Sequence, residues 1–181
     1  MINNAILKLI NFFTFGYGVK RVHNQKSVDL ILDGASNVDH LSIENNLVVN
    51  GTATLNKVFV GKTLFINGSL SATDSVMQRL ESNGYTVLKN CQINETIIAQ
   101  GFTQLTDCKT ATVKIKGSLR ANGSSLQSIL VQKSWPGKHV INLTDTLVQG
   151  DVIFENVEGS VVLKDNAHIL GNVIGGIVKR V

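Results

Sequence analysis

Leu47-Val-Val-Asn-Gly-Thr-Ala-Thr-Leu55 is followed, after eight residues, by Leu64-Phe-Ile-Asn-Gly-Ser-Leu-Ser-Ala72. Both stretches open on apolar residues, centre on Asn-Gly and then alternate small and apolar side chains. The unit returns as Ile97-Ile-Ala-Gln-Gly-Phe-Thr-Gln-Leu105 and as Val113-Lys-Ile-Lys-Gly-Ser-Leu-Arg-Ala121. Glycines stand at Gly34, Gly51, Gly68, Gly84, Gly101, Gly117 and Gly150, separated by 17, 17, 16, 17, 16 and 33 residues, the last read as two intervals. A fixed short period of this kind marks a repeat architecture, in which one structural unit stacks on copies of itself.

A period of about 17 is too short for two helices and their turns, but it suits one lap of three short strands. Apolar residues alternate on either side of each glycine, as burial of one strand face requires. Five or six residues past the glycine comes a turn former: Asn56, Asp74, Asn90, Asp107, Asn122 or Asn156. Asn and Asp tolerate left-handed backbone, so a column of them at one phase suits a coil that turns the same corner on every lap. The fold predicted is all-β, a parallel β-helix of about nine laps, on the order of 43 Å long at the strand spacing of a sheet. Ile98 and Ile115 are assigned to its interior. Alternation of 16 and 17 breaks the six-residue register of the left-handed hexapeptide helix and favours the right-handed form. Lys133-Ser-Trp-Pro-Gly-Lys-His139 interrupts the pattern and reads as one reshaped corner.

The chain has 181 residues, 43% of them hydrophobic and 17% charged, with a single proline. That composition excludes intrinsic disorder and fits one ordered domain. The net charge of +4 has a local origin: Lys8, Lys20, Arg21 and Lys26 stand in the first 26 residues without an acid. The remainder is balanced and offers no phosphate-tracking stripe, which disfavours nucleic-acid binding. Residues 1–26 therefore read as a separate segment ahead of a β-helix domain at 27–181. Its apolar residues include Ile6, Leu9, Ile10, Phe12 and Phe13, too few and too interrupted to span a bilayer. At helical spacing they form an amphipathic face. Either the segment caps the open end of the core, or it lies in a membrane interface with Lys20 and Arg21 on anionic headgroups. A secretory signal fits less well, because Lys8 falls within the apolar run and no Ala-x-Ala cleavage site follows it.

Val148-Gln-Gly-Asp-Val-Ile-Phe-Glu155, together with Val161-Val-Leu-Lys-Asp-Asn-Ala-His-Ile-Leu-Gly-Asn-Val-Ile-Gly-Gly176, resembles the repeats of bactofilins, the bacterial polymer-forming cytoskeletal proteins. The resemblance covers most of Leu41 to Gly176. It implies a right-handed β-helix that polymerises end to end without nucleotide, often held at the inner membrane by a short N-terminal segment. Bactofilins commonly carry flexible, proline-containing tails on both sides of the helix, whereas this sequence opens on an apolar segment and is expected to remain in its last lap up to Val181. The expected location is cytoplasmic, at the inner face of the cytoplasmic membrane if residues 1–26 act as an anchor.

Catalytic constellations are absent from the sequence pattern. His23, His40, His139 and His168 are scattered without metal-binding helical spacing, so no metal site is expected. An acyltransferase-type β-helix would need one histidine as general base; His139 is the candidate, against the plainer reading of an exposed corner residue. The 13 acids are dispersed, which argues against glycan cleavage. No cofactor is implied. Cys91 and Cys108 are 17 apart and so share a phase on adjacent laps, within disulfide reach, though two reduced small apolar side chains are the simpler reading. Five Asn-x-Ser/Thr triplets, three of them within the repeat, are explained by corners without glycans.

The function read from these features is a non-catalytic scaffold whose partner is itself. A β-helix exposes unpaired backbone and apolar columns at its ends. The C-terminal end, with Ile169, Leu170, Val173, Ile174, Ile177 and Val178, is the expected self-assembly surface. The alternatives are an exported adhesin or carbohydrate-binding β-helix, which needs exposed aromatics beyond Tyr17, Tyr85 and Trp135, and the acyltransferase.

Overall fold

The computed structural model describes residues 20–133 and 139–181. Every described element is a strand, and every strand pairing is parallel between one lap and the next. The result is a β-solenoid of about nine laps. Among the described residues no helix is long and apolar enough to cross a membrane.

Each lap has three sides, and each side turns two residues inward. In the lap around Gly68 these are Leu64 and Ile66, then Leu70 and Ala72, then Ser75 and Met77, all at most 1% exposed. The sequence alternates for this reason, since successive strand residues point to opposite faces. The inward positions stack in register: Leu47 on Leu64, Leu64 on Leu80, Leu80 on Ile97, and Ile97 on Val113. Ile98 breaks the sequence assignment. It is half-buried and faces outward between Glu81 and Lys114, whereas Ile97 and Ala99 on either side of it are buried. A run of two isoleucines leaves the phase ambiguous, and the register of the neighbouring laps decides it. Ile115 is buried as assigned.

The glycines form one column from Gly34 to Gly117. A Cβ built on Gly51, Gly68, Gly84, Gly101 or Gly117 would stand against the carbonyl oxygen of the glycine one lap earlier, closer than van der Waals contact allows. At Gly51 and Gly68 the backbone is also at φ +136° and +146°, a region side chains rarely adopt. Gly150 is not in this column. Its amide donates to the carbonyl of Gln127, on a different corner. Residues 134–138, in the segment read as a reshaped corner, lie outside the described residues; across them the register offset rises from 16, Ile115 to Val131, to 22, Leu119 to Ile141. The 33-residue interval therefore matches two periods by coincidence, and the column continues through His139, Gly159 and Gly176. The 16/17 alternation arises at another corner, where pairing shifts by one residue between Met77 and Arg79 and, one lap on, between Ile93 and Thr96.

The corners confirm the expected chemistry with a one-residue adjustment. His40, Lys57, Asp74, Asn90, Asp107, Asp145 and Asp165 have φ between 46° and 53°, and Gly123, at 60°, completes the column. Asn56 and Asn122 stand one residue before the left-handed position, and Asn156 (φ 56°) bends a different corner. Asp39 and Asn56 instead pair across laps, the Asn56 amide donating to Asp39 Oδ1 at 2.6 Å. The same chemistry builds an exposed amide ladder, in which Asn50 donates to Asp33, Asn67 to Asn50 and Asn83 to Asn67 at 2.8–2.9 Å. Such ladders hold adjacent laps in register.

The solenoid begins before residue 27. Lys20–Ser27 is a strand that pairs in parallel with Ser36–Ile43, so Lys20 and Arg21 belong to its first described lap and not to a segment ahead of it. Ile6, Leu9, Ile10, Phe12 and Phe13, and with them the predicted amphipathic helix, lie outside the described residues.

Candidate functional site: the C-terminal end and two side-chain columns

The six residues expected at the C-terminal end divide into two sets. Ile169, Val173 and Val178 continue inward columns, over Val148, Val152 and Val161 respectively. Ile169 and Val173 pack partly against the core, and Val178, which no lap covers among the described residues, is 47% exposed. Leu170, Ile174 and Ile177 face the flank and are 69%, 49% and 60% exposed. His168–Ile169, Val173–Ile174 and Gly176–Arg180 each pair with the preceding lap alone, so their outer edges carry no strand among the described residues. Arg180 lies over Leu163 at this end, and a cleft of about 380 Å³ is lined by Glu158, Gly175, Ile177 and Lys179.

Beneath the corner column runs a second column of small polar side chains: Ser75, Cys91, Cys108, Ser124 and Thr146, all nearly inaccessible. Each closes the left-handed turn by donating to the carbonyl two residues back. Ser75 reaches Thr73 at 2.8 Å, Cys91 reaches Lys89 at 3.3 Å, Cys108 reaches Thr106 at 3.2 Å, Ser124 reaches Asn122 at 3.0 Å and Thr146 reaches Thr144 at 2.8 Å. The hydroxyls also accept amides from the lap below, Val58 N–H to Ser75 Oγ and Cys108 N–H to Ser124 Oγ at 3.0 Å. These side chains therefore satisfy buried corner backbone that would otherwise cost about 1–3 kcal/mol per group.

In this column Cys91 and Cys108 are free and buried. Hydrogen bonding to Cys108, reinforced by burial, pushes the Cys91 thiol far above its usual range. Titration of the denatured, unreduced protein should find two thiols, and the native protein should react slowly at both; no thiol in denaturant would establish a disulfide.

The plainer reading of His139 as an exposed corner residue is not what the structure shows. His139 is 8% exposed, stands in the glycine column over Gly117 and places Nδ1 3.4 Å from the Gly117 carbonyl. Among the described aromatics, Tyr85 and Phe102, each directly after a column glycine, stack at 5.2 Å between centroids, with the Arg120 guanidinium 5.9 Å from the centroid of the Phe102 ring. Trp135 and Tyr17 lie outside the described residues.

A further cluster was missed because the four histidines looked scattered. His23 and His40 are 17 apart, the same one-lap interval that linked the cysteines, and His23 pairs directly with Asp39. Nδ1 of His23 and Nδ1 of His40 approach the same Asp39 oxygen, Oδ2, at 3.0 and 2.9 Å. The rings meet edge to face at 5.6 Å. The His40 hydrogen bond, then that of Asn56, holds the Asp39 carboxyl below the usual carboxylate range. Applying the repeat period to His as well as to Gly would have found this group.

No family model, curated protein or solved structure matches the chain.

Proposed function

We propose that the protein is a self-assembling scaffold of the bactofilin kind, non-catalytic and polymerising end to end without nucleotide. The observation that carries this reading is the C-terminal end, where three strand edges without a further lap surround the apolar side chains of Ile169, Val173 and Val178. An uncovered parallel edge offers N–H and C=O groups at the spacing of the next strand, and its apolar columns gain by being covered. A second molecule supplies both at once. The resemblance of Val148–Gly176 to bactofilin repeats supports the same reading.

Residues 1–19 bring the scaffold to the cytoplasmic face of a membrane in this account, through Ile6, Leu9, Ile10, Phe12 and Phe13 with flanking basic residues. Purified protein, with no nucleotide present, should form filaments under negative-stain electron microscopy, in amounts that rise steeply with concentration. A monodisperse monomer at high concentration would overturn the proposal.

A further inference from the structure

We propose that His23, Asp39 and His40 form a binding site for a divalent transition-metal ion of the zinc class, which staples the first described lap to the second. Their three donor atoms lie within 4.8 Å of one another, and they come from both laps: His23 from Lys20–Ser27, Asp39 and His40 from the strand stacked on it. The two imidazole-to-carboxylate distances, 3.0 and 2.9 Å, are close to the edge of a tetrahedron of ligands around zinc, about 3.3 Å for bonds of about 2.0–2.1 Å. A small outward adjustment therefore converts the hydrogen-bonded group into a ligand set. Each neutral ring transfers its proton from Nδ1 to Nε2 through solvent, which frees the Nδ1 lone pair without net proton release.

The surroundings favour this use. The Asn56 amide holds Asp39 Oδ1 at 2.6 Å, leaving Oδ2 for the ion, and a ligating carboxylate fixed by an outer hydrogen bond is the usual arrangement at metal sites. The left-handed backbone at His40 (φ 50°) sets that ring beside Asp39, although the two are sequence neighbours. Two imidazoles and one carboxylate select zinc, cobalt, nickel or copper over magnesium and calcium, which prefer all-oxygen sets. The side chains of His23 and His40 are 57% and 45% exposed, so an ion has free access and keeps a position for water or a donor from another molecule.

Titration of the full-length protein with Co²⁺, a spectroscopic substitute for Zn²⁺, tests the site. One equivalent should bind with a visible ligand-field band that Zn²⁺ displaces, and Zn²⁺ should slow hydrogen exchange across Lys20–Ser27. His23→Gln and His40→Asn, the latter keeping a side chain that tolerates left-handed backbone, should each abolish the band while the far-ultraviolet circular dichroism stays unchanged. His168→Gln should retain it. Absence of the band in the unaltered protein, its survival in either of the first two variants, or its loss in the third would overturn the assignment.

Discussion

Ile97→Asp should unfold the central laps, whereas Ile98→Asp, one residue away, should melt within about 1 kcal/mol of the unaltered protein. Ile97 is inaccessible and stacked between Leu80 and Val113, both also fully buried. A carboxylate there has no partner and no water, and its cost of ~4 kcal/mol or more is a large share of a typical domain's 5–15 kcal/mol. Because each lap is templated by its neighbours, the loss spreads along the rod. At position 98 the new carboxylate lies on the outer surface between Glu81 and Lys114, one repulsive and one attractive neighbour that largely offset each other. Thermal melts of the two variants check the phase directly: similar melting of both would mean that the inward face is misassigned.

Gly68→Val should be comparably damaging by a different mechanism. A Cβ at this position meets the backbone carbonyl of Gly51, an obstacle that cannot rotate away, and φ is +146°. Strain and the forced separation of two laps together should cost roughly 3 kcal/mol or more. Among the described residues nothing stands within 4 Å of the same virtual atom on Gly34, at φ +81°, so Gly34→Ala is expected to meet the φ penalty without that clash, and its smaller loss provides the comparison. Chemical denaturation of both variants gives the two values; equal losses would show that close approach of the laps is not what selects glycine in this column.

The lap structure was legible in the sequence because the same physical constraint recurs on every lap. Close approach of backbones keeps Gly51, Gly68, Gly84, Gly101 and Gly117 free of side chains, and left-handed corners draw Asp74, Asn90 and Asp107 to one phase. The reading failed where one lap differs from its neighbours. After Lys133–His139 the laps lengthen, and Gly150 fell on the expected count while occupying another corner. Position-specific substitutes were also hidden: His40 and Lys57 turn the corner as Asp74 does, and His139 replaces a glycine in the column. The His23, Asp39 and His40 group needed lap pairing to be seen, since side chains one period apart in sequence become neighbours only after the strands stack. At the C-terminal end the apolar residues were recognised, but alternation alone did not separate the inward Val173 and Val178 from the outward Ile174 and Ile177; pairing with Val152, Val161, Ile153 and Ser160 does.

That separation defines the measurement on which the functional account rests. Val173→Lys and Val178→Lys place a charge on the end of the apolar columns, whereas Ile174→Lys places one on the flank. If molecules join end to end through the C-terminal lap, the first two substitutions, combined, should reduce filaments in negative-stain micrographs to short pieces or monomers, with the β-sheet circular dichroism signal retained. Ile174→Lys should leave filament length nearly unchanged. Filaments of undiminished length from the Val173→Lys, Val178→Lys protein would contradict assembly through this end.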